Sequence, residues 1–195
     1  CTATAVLVWP EREEGGLRVQ AANVGDSAAV FVDLASGSAR VLTEDHRLTN
    51  PSERARLVDM GIQVAKDSRR LYGLNLSRCL GDHFLKDEDL GLSAEPYVGR
   101  ALEVPADQGG LVLIATDGLW DVASYDDVGR VAAEADREHQ GNVVRTAEAV
   151  LDYALARRTK DDVTVQVVRV WSAADWKARG PSPGVPSLSA ISWIC

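Results

Sequence analysis

The sequence predicts an α+β fold, in which a mostly antiparallel β-sheet is built first and helices pack on it later. Three observations support this prediction. The first half alternates short apolar and β-branched runs with turns rich in glycine, proline and charge. Two later segments carry apolar residues at the helical spacing of three and four. A final alternating run at Val163–Val170 predicts a closing strand.

The totals describe one globular domain with an acidic surface. The 195 residues are 46% hydrophobic and 26% charged, and they can bury a substantial core. The net charge of -8 argues against a nucleic-acid binder or a binder of anionic membranes, because both need a basic face. No apolar run approaches the ~20 residues of a membrane span. Cys1, Cys79 and Cys195 lack zinc-ligand spacing and favour a reducing compartment, so we expect a cytoplasmic location, with the nucleus or an organelle as alternatives. We also expect a monomer.

The first half predicts four strands. Thr2–Trp9 and Leu17–Asn23 are β-branched and apolar, and a loop of proline, glycine and charged residues separates them. Two apolar runs meet at Gly25–Asp26, which predicts a β-hairpin with a two-residue turn. A further turn precedes a strand at Ala39–Thr43.

A helix and a long loop follow. Proline favours the first turn of a helix and glycine its end, so Asn50–Pro51 and Gly61 are expected to bound the helix. Its apolar positions are Ala55, Leu57, Val58 and Met60. The polar, glycine-containing segment Lys66–Pro96 is long for a loop inside a compact domain, and such loops are usually functional or disordered.

The second half predicts a buried strand and two helices. Leu111–Thr116 is a continuous apolar run, and Ser124 with Asp127 resembles a capping box at a helix start. The apolar stripes of the helices are Val128, Val131, Ala132 and Ala135, then Val143, Val144, Ala147, Val150, Leu151, Ala154 and Leu155. From residue 172 the sequence is rich in Pro, Gly, Ser and Trp, and its apolar residues follow neither helical nor strand spacing. We therefore expect a domain at residues 1–171 and a disordered or foreign tail at residues 172–195.

Four carboxylates stand where strands end or begin. Asp117 follows one predicted strand and Asp161 precedes another. If these strands are antiparallel neighbours, both carboxylates lie at one edge of the sheet. Asp26 in the predicted turn can reach that edge, and Asp121 lies one helical turn after Asp117. The pattern predicts a carboxylate cluster.

Such a cluster favours a cation. Two carboxylates 4 Å apart repel by about 4 kcal/mol at an effective dielectric constant of 20. Oxygen ligands without His or Cys favour Mg²⁺ or Mn²⁺, and a pair of such ions can hold a phosphate and activate a water. Each acid also has an ordinary interpretation: Asp26 as a turn residue, Asp121 near a helix start, Asp161 as a solvated residue. Asp117 fits such an interpretation least well, because a buried strand end is a costly place for a charge.

The order of the sequence motifs resembles the metal-dependent serine/threonine protein phosphatases of type 2C. Five segments carry the resemblance, in the family's order, across residues 1 to about 170. They are ANVGDSAAVF, LTEDHRLTNPSERARLVDMG, LYGLNLSRCLGDHFLK, LIATDGLWDVAS preceded by EPYV, and TKDDVTVQVV. One such segment is weak evidence, whereas five in order are highly specific.

The resemblance implies an antiparallel β-sandwich flanked by helices, with a two-metal centre at one end. Asp117 and Asp161 would ligate the catalytic ions, and Asp26, Asp117 and Asp121 would form an additional, weaker site for Mg²⁺ or Mn²⁺. The segment Lys66–Pro96 corresponds to the mobile flap of the family. The implied reaction is hydrolysis of phosphoserine and phosphothreonine in phosphoprotein substrates by a metal-activated water.

The sequence also departs from the family pattern. The 195 residues lack the DGHGG segment, whose Asp bridges the metals, and the phosphate-binding Arg, and Asp162 replaces the commoner Asn. We therefore expect an N-terminally truncated domain that is nearly inactive alone and has no separately assignable catalytic residue. Two alternatives stay open. One is a non-catalytic domain of the same fold that acts as a binding or regulatory module, and the other is an unrelated cation-binding α+β domain.

Overall fold

In the computed structural model, two antiparallel sheets and a pair of long helices form successive layers. The structure describes residues 1–11 and 16–175 and the backbone of residues 191–194. The strands are β1 (Ala3–Pro10), β2 (Leu17–Val24), β3 (Ala28–Asp33), β4 (Ala39–Val41), β5 (Tyr97–Val98), β6 (Leu102–Val104), β7 (Gly110–Ala115), β8 (Val165–Val170) and β9 (Ile191–Ile194). The helices are α1 (Pro51–Asp59), α2 (His83–Asp87), α3 (Asp117–Trp120), α4 (Tyr125–Glu138) and α5 (Val143–Ala156). Among these described residues, no helix combines the length and apolar character needed to cross a membrane.

Each sheet is built around long antiparallel pairs. The first sheet has the order β5-β2-β1-β9, with β6 also paired to β2, and the second has the order β4-β3-β7-β8. In the second sheet, Leu113 of β7 lies between Val30 of β3 and Val167 of β8. Every residue of β7 is buried, which agrees with the continuous apolar run in the sequence. The predicted α+β sandwich is therefore confirmed.

The two faces of the second sheet belong to different cores, because successive side chains of a strand point to opposite faces. Between the sheets, Val6 and Val19 meet Phe31, Val112 and Ile114. On the opposite face, the two long helices cover the sheet. This second core contains Val30, Val32, Leu111, Leu113, Val128, Ala132, Val150 and Ala154.

The chain crosses from one sheet to the other between β2 and β3, so the β-hairpin predicted at Gly25–Asp26 is wrong. β2 pairs with β1, whereas β3 pairs with β7. Gly25 has a φ of 114°, and a Cβ there would collide with the side chain of Thr2. A glycine-containing turn between two apolar runs is a local pattern, and it does not determine whether the two runs pair.

The three predicted helices are present as α1, α4 and α5. At each start, a side-chain oxygen of the N-cap residue accepts a backbone hydrogen bond; these residues are Asn50, Ser124 and Asn142. The donor to Ser124 is the N–H of Asp127, as the capping box predicted. The stripe predicted for α5 is only partly right: Val150 and Ala154 are buried, but Val144 and Leu155 are exposed.

Helix α1 differs more strongly from its predicted buried face. Leu57 is fully buried, but Val58 and Met60 are 62% and 54% exposed. The buried face contains a charged residue instead, Glu53. Apolar spacing did not reveal Glu53, because a carboxylate is buried only where other parts of the fold supply its partners.

Two parts of the predicted tail lie within the described residues. Residues 191–194 form β9, which pairs antiparallel with β1 and satisfies backbone groups at the edge of that strand. Ser172 is buried, and its hydroxyl oxygen accepts a hydrogen bond from the N–H of Asp175. Residues 176–190 and 195 lie outside the described residues, so the domain boundary at residue 171 stays a prediction.

Candidate metal centre

The pairing of β7 with β8 places Asp117 and Asp161 at the same edge of the second sheet. Thr116 fastens the two segments together. Its hydroxyl donates to the carbonyl of Asp162 at 3.1 Å and accepts from the N–H of Thr164 at 3.0 Å. These bonds hold the segment before β8 against the start of α3.

A close approach between two segments explains why a glycine, Gly118, follows the first acid in TDGLWD. A Cβ at this position would collide with the carbonyl oxygen of Asp162. The hydroxyl of Thr159 also donates to the carbonyl of Gly118 at 2.7 Å, which ties the same two segments together. The Asp161 segment therefore approaches α3 this closely only because residue 118 has no side chain.

Three of the four predicted acids converge at this edge. The single turn of α3 brings Asp121 beside Asp117, and the N–H of Asp121 donates to the carbonyl of Asp117 at 2.8 Å. Asp26 arrives from the crossing between the two sheets. The three carboxylates come from two distant parts of the chain and face one point.

The group at that point is the guanidinium of Arg47, which the sequence analysis did not select. Its Nε lies 2.7 Å from Asp26 Oδ2, its Nη1 2.6 Å from Asp121 Oδ1, and its Nη2 2.7 Å from Asp117 Oδ2. A guanidinium can contact three carboxylates at once because its five N–H groups spread in a plane. The available signal was a cation inside LTEDHRLTNP, a segment already linked to the family.

His46 fixes the position of Arg47. The N–H of His46 donates to the carbonyl of Gly25 at 3.2 Å, and the N–H of Gly25 donates to His46 Nδ1 at 3.0 Å. Burial lowers the pKa of His46, and the nearby charge of Arg78 lowers it further. Because Nδ1 accepts the hydrogen bond from Gly25, it carries no proton, and the lowered pKa favours this neutral form of the imidazole.

The cluster remains negative despite the arginine. Burial raises the pKa of Asp117, and repulsion from Asp26, Asp121 and Asp161 raises it further, while Arg47 acts in the opposite direction. Burial disfavours the charged form of Arg47, but hydrogen bonds with Asp121 and Asp26 raise its pKa above the ordinary value. One cation thus faces three carboxylates and neutralises one of their charges.

Asp161 stands beside this cluster without joining it. Its side chain is exposed, and its Oδ1 accepts a hydrogen bond from the N–H of Asp162 at 2.8 Å. The carboxylate oxygens fit a hard cation by donor type. Across residues 1–11 and 16–175, however, no three His, Cys, Asp or Glu side chains adopt a metal-holding arrangement. The donor set suits Mg²⁺ or Mn²⁺, whereas its present geometry suits Arg47.

A second charged cluster fastens the segment Lys66–Pro96 to α1. The buried carboxylate of Glu53 accepts hydrogen bonds from Arg78 Nε at 2.9 Å, Arg56 Nε at 3.1 Å and Ser77 Oγ at 2.6 Å. Burial acts to raise the pKa of Glu53, but these hydrogen bonds prevail and lower it to about 2. The segment Lys66–Pro96 is thus held by an ion-pair cluster that apolar periodicity does not indicate.

Comparison with known proteins agrees with the resemblance. The family model for protein phosphatase 2C matches residues 1–163. Protein phosphatase 2C 70 of Arabidopsis thaliana is 37% identical over 169 residues, covering 85% of this chain and 29% of the relative. A probable protein phosphatase of Dictyostelium discoideum is 36% identical over 178 residues, covering 87% of this chain and 18% of the relative.

The fold has solved counterparts. A phosphatase from a pathogenic strain of Toxoplasma gondii aligns with a TM-score of 0.68 and 24% identity, covering 92% of this chain and 53% of that chain. A sex determining protein of C. elegans aligns with a TM-score of 0.65 and 25% identity, covering 83% of this chain and 42% of that chain. The chain spans less than a third of the two curated relatives described above. Because the family model matches most of its length, the chain belongs to the protein phosphatase 2C family.

Proposed function

We propose that this chain is part of a metal-dependent serine/threonine protein phosphatase, and that the edge carrying Asp117 and Asp161 is its side of the metal centre. One observation carries the proposal: Asp26, Asp117 and Asp121 converge on a single point at the end of β7. Carboxylates gathered in this way repel one another, and a cation relieves that repulsion.

The proposed roles follow from where each acid lies. Asp117 and Asp161 would hold the catalytic Mg²⁺ or Mn²⁺ ions, and Asp26 and Asp121 would hold an accessory ion together with Asp117. When bound, such an ion supplies a more acidic water and positive charge for the phosphoryl oxygens. Thr116 keeps the Asp161 segment aligned with α3, so the two segments that carry the proposed ligands stay next to each other. Phosphoprotein substrates, a monomeric state and a cytoplasmic location belong to the same proposal.

Calorimetry with Mn²⁺ on the full 195-residue chain tests this function. We expect Mn²⁺ to bind the parent chain and binding to be lost in Asp117→Ala, because that residue belongs to both proposed sites. Asp152→Ala is the matched control, since Asp152 is an exposed acid on α5. Equal binding in the parent chain and in Asp117→Ala would contradict the proposed metal centre.

One observation favours a second candidate, a non-catalytic module of the same fold. Arg47 already joins three of the four acids without any metal. A module of this kind needs the arginine only as a structural cross-link. This second candidate function predicts that Mn²⁺ binds neither the parent chain nor a variant without Arg47, and that both chains fold normally.

A further inference from the structure

We propose that Arg47 is a built-in competitor of the divalent cation for Asp26, Asp117 and Asp121, so that an ion enters this triad only after the guanidinium has left. The identity of the ion rests on the proposed function. The contacts on which the inference rests are formed between residues of the chain and do not depend on which ion binds.

The guanidinium and an ion would use the same oxygen atoms. Three different nitrogens of Arg47 contact Oδ2 of Asp26, Oδ2 of Asp117 and Oδ1 of Asp121 at 2.6–2.7 Å. A Mg²⁺ ion needs its ligand oxygens at about 2.0–2.1 Å. Its charge would also repel the guanidinium at that distance. Occupancy by one cation therefore excludes the other.

The backbone at Arg47 is held on two sides. The residue before it, His46, pairs with Gly25, and its carbonyl accepts hydrogen bonds from both the N–H and the hydroxyl of Ser77 at 2.8 Å. Arg47 itself forms an isolated antiparallel bridge with Leu76. The guanidinium is thus tethered beside the triad, and a tethered group competes at a high effective concentration.

The side chain nevertheless has a route out. Arg47 is 21% exposed, and its partner Asp121 is 52% exposed, so the outer side of the triad faces solvent. Rotation about the bonds of the side chain can move the guanidinium outward while the backbone stays in place. The single positive charge of Arg47 leaves a net negative charge on the three carboxylates. Because a divalent ion carries twice that positive charge, the carboxylates attract it more strongly than they attract the guanidinium. Arg47 thereby sets the ion concentration at which the triad fills.

The test compares Mn²⁺ affinity in four versions of the 195-residue chain at one salt concentration: the parent chain, Arg47→Met, Arg40→Met and Arg47→Met/Asp121→Asn. Methionine keeps the length of the side chain without its charge. Arg40 on β4 is exposed and serves as a control for the general loss of one positive charge. We expect Arg47→Met to bind at least about tenfold more tightly than the parent chain and Arg40→Met to match the parent. The double variant should lose the gain.

The outcomes separate the two proposals. Equal affinity in the parent chain and Arg47→Met, with binding abolished by Asp117→Ala, overturns the competition and leaves the proposed function standing. No binding in any chain overturns both. A gain that survives in the double variant also overturns the competition, because the ion would then sit elsewhere.

A second measurement covers the case in which Arg47→Met does not fold. The Nε–H signal of Arg47 can be followed by nitrogen-15 NMR in the parent chain during titration with Mg²⁺. Displacement predicts that this N–H, now bonded to Asp26, loses its protection from solvent exchange as the ion binds. An unchanged Arg47 signal at saturating Mg²⁺ would overturn the inference.

Discussion

His46 and Gly25 form two hydrogen bonds across the corner between the sheets, one from N–H to carbonyl at 3.2 Å and one from N–H to Nδ1 at 3.0 Å. His46 is fully buried, and its Nε2 has no hydrogen-bond partner among the described residues. Because each residue directly precedes a member of the ion pair, this contact sets the register that brings Arg47 onto Asp26. Geometry at the acid triad therefore depends on an imidazole that does not touch the carboxylates.

We expect His46→Ala to lower the free energy of unfolding by about 2–4 kcal/mol, because it leaves a cavity and an unpaired N–H at Gly25. Urea denaturation measures this change. His46→Asn is the informative companion, since its side-chain oxygen can accept the hydrogen bond from Gly25 and should recover part of the loss. Equal stability of the alanine variant and the parent chain would contradict the role given to His46.

The same residue predicts a pH dependence. The pKa of His46 lies below its ordinary value of 6.5 because burial disfavours the imidazolium. The unfolded chain therefore takes up the proton first, so stability that is present above pH 6.5 is lost as the pH falls below it. Denaturation curves between about pH 8 and 5.5 should show this loss, and His46→Asn should reduce it. A slope identical in both chains would rule out His46 as the source.

Glu53 is a buried charge whose loss should be measurable. We expect Glu53→Gln to lower the free energy of unfolding by about 3–5 kcal/mol, because it leaves Arg56 and Arg78 without their carboxylate in a buried setting. Glu148→Gln is the matched control, since its ion pair with Arg145 is solvent-exposed and should contribute at most about 1 kcal/mol. Similar effects of the two substitutions would show that burial of Glu53 does not amplify its contribution.

Glu53 also predicts how the fold responds to acid. Its pKa is about 2 in the folded chain, against an ordinary value of 4.5. The stability that its ionised form contributes is therefore complete above pH 4.5 and disappears as the pH falls from 4.5 through 2. Acid titration of the parent chain beside Glu53→Gln tests this, and the stabilities of the two chains should converge in that window. Curves that stay parallel would contradict the low pKa.

Asp45 predicts a pH dependence of stability that is opposite in sign to that of Glu53. The side chain reaches solvent, yet the surrounding protein still desolvates its carboxyl and raises the pKa to about 6; Asp26 and Asp121 add to the shift and Arg47 opposes it. A raised pKa means that ionisation opposes folding, and this penalty grows as the pH rises from 3.8 through 6. Asp45→Asn should therefore raise the melting temperature at neutral pH and have little effect near pH 4. A variant that melts lower than the parent at neutral pH would contradict this assignment.

Gly118 tests the close approach of the two strand ends. We expect Gly118→Ala to lower the free energy of unfolding by about 1–3 kcal/mol, because the new Cβ meets the carbonyl of Asp162 and the segment has to shift. Gly109→Ala is the control, since a Cβ there would lie 3.4 Å from its nearest neighbour, in ordinary contact. NMR shifts of Asp161 and Asp162 should move only in the first variant. Unperturbed shifts in that variant would refute the steric explanation.

Local patterns in the sequence were sufficient for much of the fold. The apolar run of β7, the cap at Ser124 and the order of strands and helices can all be recognised from residues near one another in sequence. The same holds for Asp117 and Asp121, which one helical turn brings together. Motif order was also enough to place the chain in its family, because five ordered segments rarely coincide by chance.

The rest depended on contacts between residues far apart in sequence. Whether β2 and β3 pair or part at Gly25 is settled by the partners that each strand finds, β1 and β7. Glu53 is buried because residues 77 and 78 supply donors, and Arg47 lies among three carboxylates because His46 anchors it at the corner. A charge is stable in such a place only where the assembled fold neutralises it, and no periodicity in the sequence records which distant residue will do so.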